Sequence, residues 1–156
     1  MNVHNIPPVY DENSCILILG SFPSVKSREM QFFYGHPQNR FWKVLSSVLG
    51  SECPVTVEEK KQFLLSNKIA VWDIIKSCEI TGSSDSSIKN AEPNDFTEIF
   101  KAADIKAVFA NGATAYKLCK KYHEFDVIKL PSTSPANAAF SLERLIGAWS
   151  VILEYL

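Results

Sequence analysis

Three short segments carry residue types that could act on one ligand: Gly20-Ser21-Phe22-Pro23-Ser24, Phe32-Phe33-Tyr34-Gly35-His36-Pro37-Gln38-Asn39, and Pro131-Ser132-Thr133-Ser134-Pro135-Ala136-Asn137. The second offers flat aromatic faces beside an amide that can donate and accept at once. That combination suits a planar heteroaromatic ligand. The third combines three hydroxyls with two stiffening prolines and suits contact with phosphates, although an ST-turn leading into a helix uses the same residues. Asn39 fits a ligand-binding amide and also a helix N-cap. His36, between Gly35 and Pro37, could titrate near neutrality, or could be bonded to turn backbone. Asn111-Gly112 fits a ligand-facing turn or a plain helix start.

Several chemistries are disfavoured by what is missing. Gly20 to Ser24 lacks the Gly-x-Ser-x-Gly elbow of a serine hydrolase. Neither a Gly-x-x-x-x-Gly-Lys-Ser/Thr phosphate loop nor a Gly-x-Gly-x-x-Gly fingerprint occurs, which argues against nucleoside triphosphate and dinucleotide chemistry. The four cysteines, Cys15, Cys53, Cys78 and Cys119, are scattered. Such spacing is poor for zinc or an iron–sulfur cluster, so we expect buried or partly buried free thiols and no metal.

The elements that must position these residues are legible in the apolar runs. Cys15 to Leu19, Ile69 to Trp72, Ala107 to Ala110 and Val127 to Leu130 read as buried strands. Phe41, Val44, Leu45, Val48 and Leu49 form a helical stripe in a segment from Asn39 to Leu49, and Phe96, Ile99 and Phe100 form another. Thr56 with Glu59 is a capping box for a helix to about Ser66, Gly112 opens a helix through Lys121, and Ser141 caps a last one. Strand and helix alternating four times predicts a three-layer α/β/α sandwich with a central, mainly parallel four-stranded sheet. Ligands of such sheets bind outside the strands' carboxyl ends. There the loops Gly20 to Gln38, Asp73 to Pro93, Asn111-Gly112 and Pro131 to Asn137 would meet, the second either mobile or folded over a ligand.

At 156 residues the chain predicts a single domain, 1–156, with a full core. Its 46% hydrophobic and 21% charged residues are those of a soluble protein, with no run long enough to span a bilayer and no contact with a membrane expected. Met1 to Asp11 lacks the basic start and apolar stretch of a secretion signal, so a cytoplasmic location is expected. Sixteen Lys plus Arg against seventeen Asp plus Glu leave a net charge of −1. Any nucleic-acid surface must therefore be local, around Lys26, Arg28, Arg40 and Lys43 or around Lys117, Lys120, Lys121 and Lys129.

The motifs jointly resemble the uracil-DNA glycosylase superfamily, and within it the hypoxanthine-DNA glycosylase branch. The likeness is carried by Gly20-Ser21-Phe22-Pro23-Ser24, Tyr34-Gly35-His36-Pro37-Gln38-Asn39-Arg40-Phe41-Trp42, Trp72-Asp73, Gly82-Ser83-Ser84-Asp85-Ser86, Pro93-Asn94-Asp95-Phe96, Asn111-Gly112 and Ser132-Thr133-Ser134-Pro135-Ala136-Asn137, in family order over nearly the whole chain. Many relatives place Asn or Asp at the third position of the first motif to orient the attacking water. Here that position is Phe22, whose ring forms no such side-chain hydrogen bond. The frequent histidine of the second motif is Ser132 when the loops align without a gap.

What the resemblance implies is a uracil-DNA glycosylase-like fold and a monofunctional DNA glycosylase that flips out hypoxanthine, and secondarily uracil or xanthine, and hydrolyses its N-glycosidic bond. Asn39 would be the catalytic group, taking over the positioning of the attacking water that Phe22 cannot provide. Gly20, Ser21, Phe22, Pro23, Tyr34, His36 and Asn111 would surround the base. Ser24, Ser132, Ser134, Pro135 and Asn137 would contact the DNA. The implied partner is double-stranded DNA containing a deaminated base, met by a monomer without a cofactor. A non-catalytic binder of damaged or single-stranded nucleic acid, or a free-nucleoside hydrolase, would use the same residue types.

Overall fold

In the computed structural model, residues 2–3 and 6–156 are described. The sequence reading of Met1 to Asp11 thus falls in part on Met1, His4 and Asn5, which lie outside them. Strands β2 (Ile16–Gly20), β3 (Ile69–Asp73), β6 (Ala107–Asn111) and β7 (Ile128–Leu130) form a parallel sheet in the order β3-β2-β6-β7. Every residue of β2 is buried, as a central strand covered on both faces requires. Side-chain alternation splits its run: Ile16 and Ile18 face one core, Leu17 and Leu19 the other.

The first core takes helices α2 (Phe41–Leu49), α3 (Val57–Ser66) and α6 (Leu142–Trp149) through Phe41, Leu45, Leu64, Leu145 and Trp149, all fully buried. The second takes α4 (Thr97–Ala102) and α5 (Ala113–Tyr122) through Ile99, Ala115 and Cys119. The expected three-layer sandwich is therefore present. Its local signals hold: Thr56 and Glu59 close the capping box, with the Thr56 Oγ1 accepting from the Glu59 amide at 3.1 Å and the Glu59 carboxylate accepting from the Thr56 amide at 2.9 Å. Ser141 caps α6 by accepting from the Arg144 amide at 3.2 Å.

Four expectations need correction. The segment 20–38 is not all loop: Ser24 caps a short helix α1 (Val25–Met30), a turn too brief to show helical periodicity. The segment 73–93 is not a single loop either. It folds as β4 (Ile75–Glu79) and β5 (Lys89–Pro93), an antiparallel pair that β1 (Asn2–Val3) extends to order β1-β4-β5. Polar, half-exposed strands such as Lys89–Pro93 carry little apolar alternation, so only pairing reveals them. Finally, α2 starts at Phe41 with Arg40 at its N-cap, two residues after Asn39. Cys53, expected at least partly buried, is exposed.

Sheet order reverses between β2 and β6, so the crevice opens where Gly20 and Asn111 end those two strands. Beside it the chain leaving β3 is pinned across β2. Ile74 and Ile75 donate to the Gly20 and Ser21 carbonyls at 2.8 and 3.0 Å, and buried Asn94 holds the Asp73 carbonyl through its Nδ2 at 2.9 Å.

Candidate active site

A cavity of about 310 Å³ occupies this switch point. Gly20, Ser21, Phe22, Pro23 and Ser24 form one side of it, Tyr34, His36 and Asn39 enter from the segment before α2, and Asn111 comes from the end of β6. Ser132, Ser134 and Pro135 complete it from the loop after β7. The structure thus gathers every residue named for the base or the DNA except Asn137, which lines an adjoining cavity of about 520 Å³ and turns its Nδ2 onto the Ser132 carbonyl at 2.9 Å; Phe32 and Phe33, read as aromatic faces for a ligand, are instead buried in the first core.

Asn39 is held rather than free. Its Oδ1 accepts from the Phe41 amide at 2.9 Å, joining the start of α2, and from the Thr133 hydroxyl at 2.8 Å. Thr133 is fully buried and is itself gripped by Asn111, which donates through Nδ2 to Thr133 Oγ1 and accepts from the Thr133 amide, both at 3.0 Å. Because Oγ1 accepts from Asn111, its own proton goes to Asn39. The Asn39 oxygen is thereby spent on two donors, and the NH2 end is the part of this amide left for a ligand. Asn39 therefore braces the start of α2 from the residue before its N-cap, Arg40, and is not the N-cap itself.

Tyr34 sits at a left-handed φ of 51° and stacks one ring face on Phe41, with centroids 3.9 Å apart and planes 16° from parallel. Its carbonyl accepts from the Trp42 indole at 3.2 Å, which locks the aromatic wall to α2. Burial, then the Asp73 charge, push the phenol above its usual pKa; Asn111 works the other way, although no well-formed hydrogen bond joins them. His36 accepts from the Gln38 amide on Nδ1 at 3.0 Å, the backbone-bonded turn histidine foreseen as one option.

The sequence reading passed over two carboxylates. Asp73 ends β3, is 3% exposed, and lies against Gly20 so closely that a methyl group there would meet its Oδ1 at 2.5 Å and the Tyr34 hydroxyl at 3.1 Å. Burial, and secondarily the charge of Asp85, raise the Asp73 pKa to about 7. Asp85 follows Ser84 in the turn between β4 and β5; the residue as a whole is exposed, and its carboxylate lines the cavity and accepts from the Ser21 hydroxyl at 2.7 Å on Oδ1. Burial of that carboxylate raises its pKa and the Ser21 hydrogen bond lowers it. Both residues stand in quoted motifs, Trp72-Asp73 and Gly82 to Ser86, but only pairing of β4 with β5 aims Asp85 at the cavity.

Arg40 is also spent internally. Its guanidinium donates to the carbonyls of Phe140, Ser134 and Asn137, and its amide to the Thr133 carbonyl, so it braces the loop after β7 instead of facing solvent. Trp149 anchors the same loop by donating to the Pro131 carbonyl at 2.9 Å. Gly112, at φ 100°, lets the chain pass Ser132; a methyl group at Gly112 would come within 3.0 Å of the Ser132 Cβ.

A doubly wound parallel sheet with an aromatic-walled cavity at its switch point, lined also by two carboxylates, is the architecture this chain presents. The family described as the uracil DNA glycosylase superfamily matches residues 7–151, and the chain belongs to it. Among its relatives are two archaeal proteins named hypoxanthine DNA glycosylase. The one from Methanosarcina barkeri is 36% identical over 155 residues, covering 96% of this chain and 97% of its own, and the one from Methanosarcina acetivorans is 37% identical over 153 residues, covering 96% of each. The solution NMR structure of a candidate uracil DNA glycosylase from Methanosarcina acetivorans superposes with a TM-score of 0.80 at 34% identity, over 96% of this chain and 94% of that one.

Proposed function

We propose that this chain is a single-domain, monofunctional DNA glycosylase that rotates a deaminated base, hypoxanthine first and uracil or xanthine second, out of duplex DNA and hydrolyses its N-glycosidic bond. It acts as a cytoplasmic monomer without a cofactor. The observation that carries this reading is the convergence of the first motif, Tyr34, Asn39 and the loop after β7 on one cavity large enough for a base. Likeness to the two relatives named hypoxanthine DNA glycosylase supports the choice of lesion.

Extrusion costs a few kcal/mol, and less for a mispaired base, so part of the selectivity lies in the substrate. In the cavity the base meets the ring of Tyr34 and the buried face of Phe22. As the C1′–N bond lengthens, negative charge grows on the departing base and the sugar approaches an oxocarbenium ion. The Asn39 NH2, fixed in place by Thr133 and the α2 amide, donates to that growing charge. Ser132, Ser134 and Pro135 of the loop after β7 and Ser24 of the first motif line the cavity and would contact the flanking DNA backbone. Asn137 contributes to the DNA contact by holding the shape of that loop.

The deciding experiment is a base-release panel on duplexes carrying hypoxanthine, uracil or xanthine, with free inosine in parallel. Hypoxanthine release leaving an unbroken abasic strand is the expected result. Binding without an abasic product would make the protein a passive lesion binder, and equal hydrolysis of free inosine would make it a nucleoside hydrolase.

A further inference from the structure

Hydrolysis requires a group to orient water toward C1′ and take its proton, and neither the Phe22 side chain nor Asn39 supplies one. The Phe22 ring has no polar atom to offer, and both acceptor positions of the Asn39 oxygen are filled, so Asn39 can grip a water only by donating to it, which weakens the water as a nucleophile. Two carboxylates do reach the cavity. Asp73 lies at its floor beneath Gly20, where the base edge would enter. Asp85 lines both the main cavity and the adjoining one, as Ser132 and Ser134 do, and so stands between the two, beside the loop that would meet the DNA backbone.

Resting on the glycosylase reading, we propose that Asp85 is the general base of this enzyme, holding the attacking water, and that Ser21 is its positioning residue. The water oxygen bonds to C1′, its proton passes to the Asp85 carboxylate, and the electron pair of the broken C1′–N bond leaves with the base, which then takes up one proton. The segment bearing Asp85 is docked for this task. Ser83 Oγ accepts from the Val25 amide at 3.0 Å, Arg28 Nη2 donates to the Gly82 carbonyl at 2.8 Å, and Ser21 Oγ donates to Asp85 Oδ1 at 2.7 Å. One Asp85 oxygen is thus occupied by Ser21, which favours the ionised form, and the other remains to accept from water. A carboxylate from the β4–β5 turn replaces the polar side chain that the first motif lacks at Phe22.

The test is single-turnover base release from inosine- and uracil-containing duplexes, with duplex binding measured by anisotropy on the same substrates. Asp85→Asn should lower release at saturating protein by a hundredfold or more, in the range of general-base loss, with affinity within threefold of wild type. Ser21→Ala keeps the carboxylate but removes the bond that lowers its pKa. Its release should fall about tenfold and the acidic limb of its pH profile should move to higher pH. Tyr34, Asp73 and Cys78 lie within electrostatic reach of Asp85, Arg28 holds its loop, His36 lines the main cavity with it, and Lys129 lines the adjoining one with it. The limb is therefore assigned to Asp85 only when Asp85→Asn abolishes it. An Asp85→Asn protein that releases base within threefold of wild type, or a Ser21→Ala profile that does not move, overturns the role of Asp85 alone. If Asp85→Asn does not fold, Asp85→Ser, which also removes the carboxylate, takes its place in both measurements. A wild-type protein that releases no base from either duplex overturns the glycosylase reading and this role with it.

Discussion

The Thr133 hydroxyl donates to Asn39 Oδ1 at 2.8 Å across 94 residues of chain, and Asn111 holds Thr133 in place from the end of β6. This relay decides which end of the Asn39 amide faces the cavity. Thr133→Val keeps the shape and removes the hydroxyl, leaving the Asn111 NH2 and one acceptor site of Asn39 unsatisfied. The expected cost is about 1–3 kcal/mol of stability together with at least a tenfold slower base release, while duplex affinity stays near wild type. Chemical denaturation and single-turnover release measure the two effects separately.

Asn39→Ala removes the donor outright. Base release should fall by two to three orders of magnitude, on the scale of losing one preorganised donor to a developing anion. Folding should persist, because α2 keeps its apolar face of Phe41, Val44 and Leu45. Circular dichroism checks the fold; unchanged release would remove Asn39 from the chemistry.

Gly20→Ala tests the closeness of Asp73 and Tyr34. A methyl group 2.5 Å from a buried carboxylate oxygen forces β2 and β3 apart at the cavity floor, and a loss of about 1–3 kcal/mol with collapse of activity is expected. Gly50→Ala, where the added group would meet nothing within 4 Å, has only its left-handed φ of 67° to overcome and should cost about 1–2 kcal/mol with activity retained. Thermal unfolding and activity of the pair separate crowding from backbone strain.

Asp73 makes a stability prediction with a definite sign. Its carboxyl titrates near 3.8 when unhindered and at about 7 in the fold, so the folded state holds its proton more tightly. The stabilisation from Asp73 is complete below about pH 4 and is lost as pH rises toward 7. Asp73→Asn should lack this loss, so the Tm difference between variant and wild type should move in favour of the variant by at least ~3 °C from pH 4 to pH 8. Parallel melting curves across that range would contradict a raised pKa.

Arg40→Lys keeps the charge and loses the planar fork that bridges three carbonyls of the loop after β7. Weaker binding of lesion duplexes, several-fold at fixed salt, is expected. Because Arg40 is turned inward, the slope of affinity against salt should stay unchanged, whereas loss of a phosphate contact would lower that slope by about one. Anisotropy titrations at several salt concentrations distinguish the two.

The amino-acid sequence by itself determined the layers and the placement of the binding segments. Runs such as Ile16–Gly20 and the stripe of Phe41, Val44 and Leu45 carry their period locally, and alternating strand and helix leaves few ways to close a sheet. Tertiary structure alone decided how the polar side chains pair. Asn39 meets Thr133, Ser21 meets Asp85 and Arg40 meets the carbonyls near Phe140, at separations of 94, 64 and up to 100 residues. No periodicity reports such meetings, because a single short hydrogen bond between distant loops depends on the pairing of β4 with β5 and the seating of the loop after β7 on α6. The carboxylate of Asp85 looks like ordinary surface charge in a polar, serine-rich turn until that pairing delivers it to the cavity.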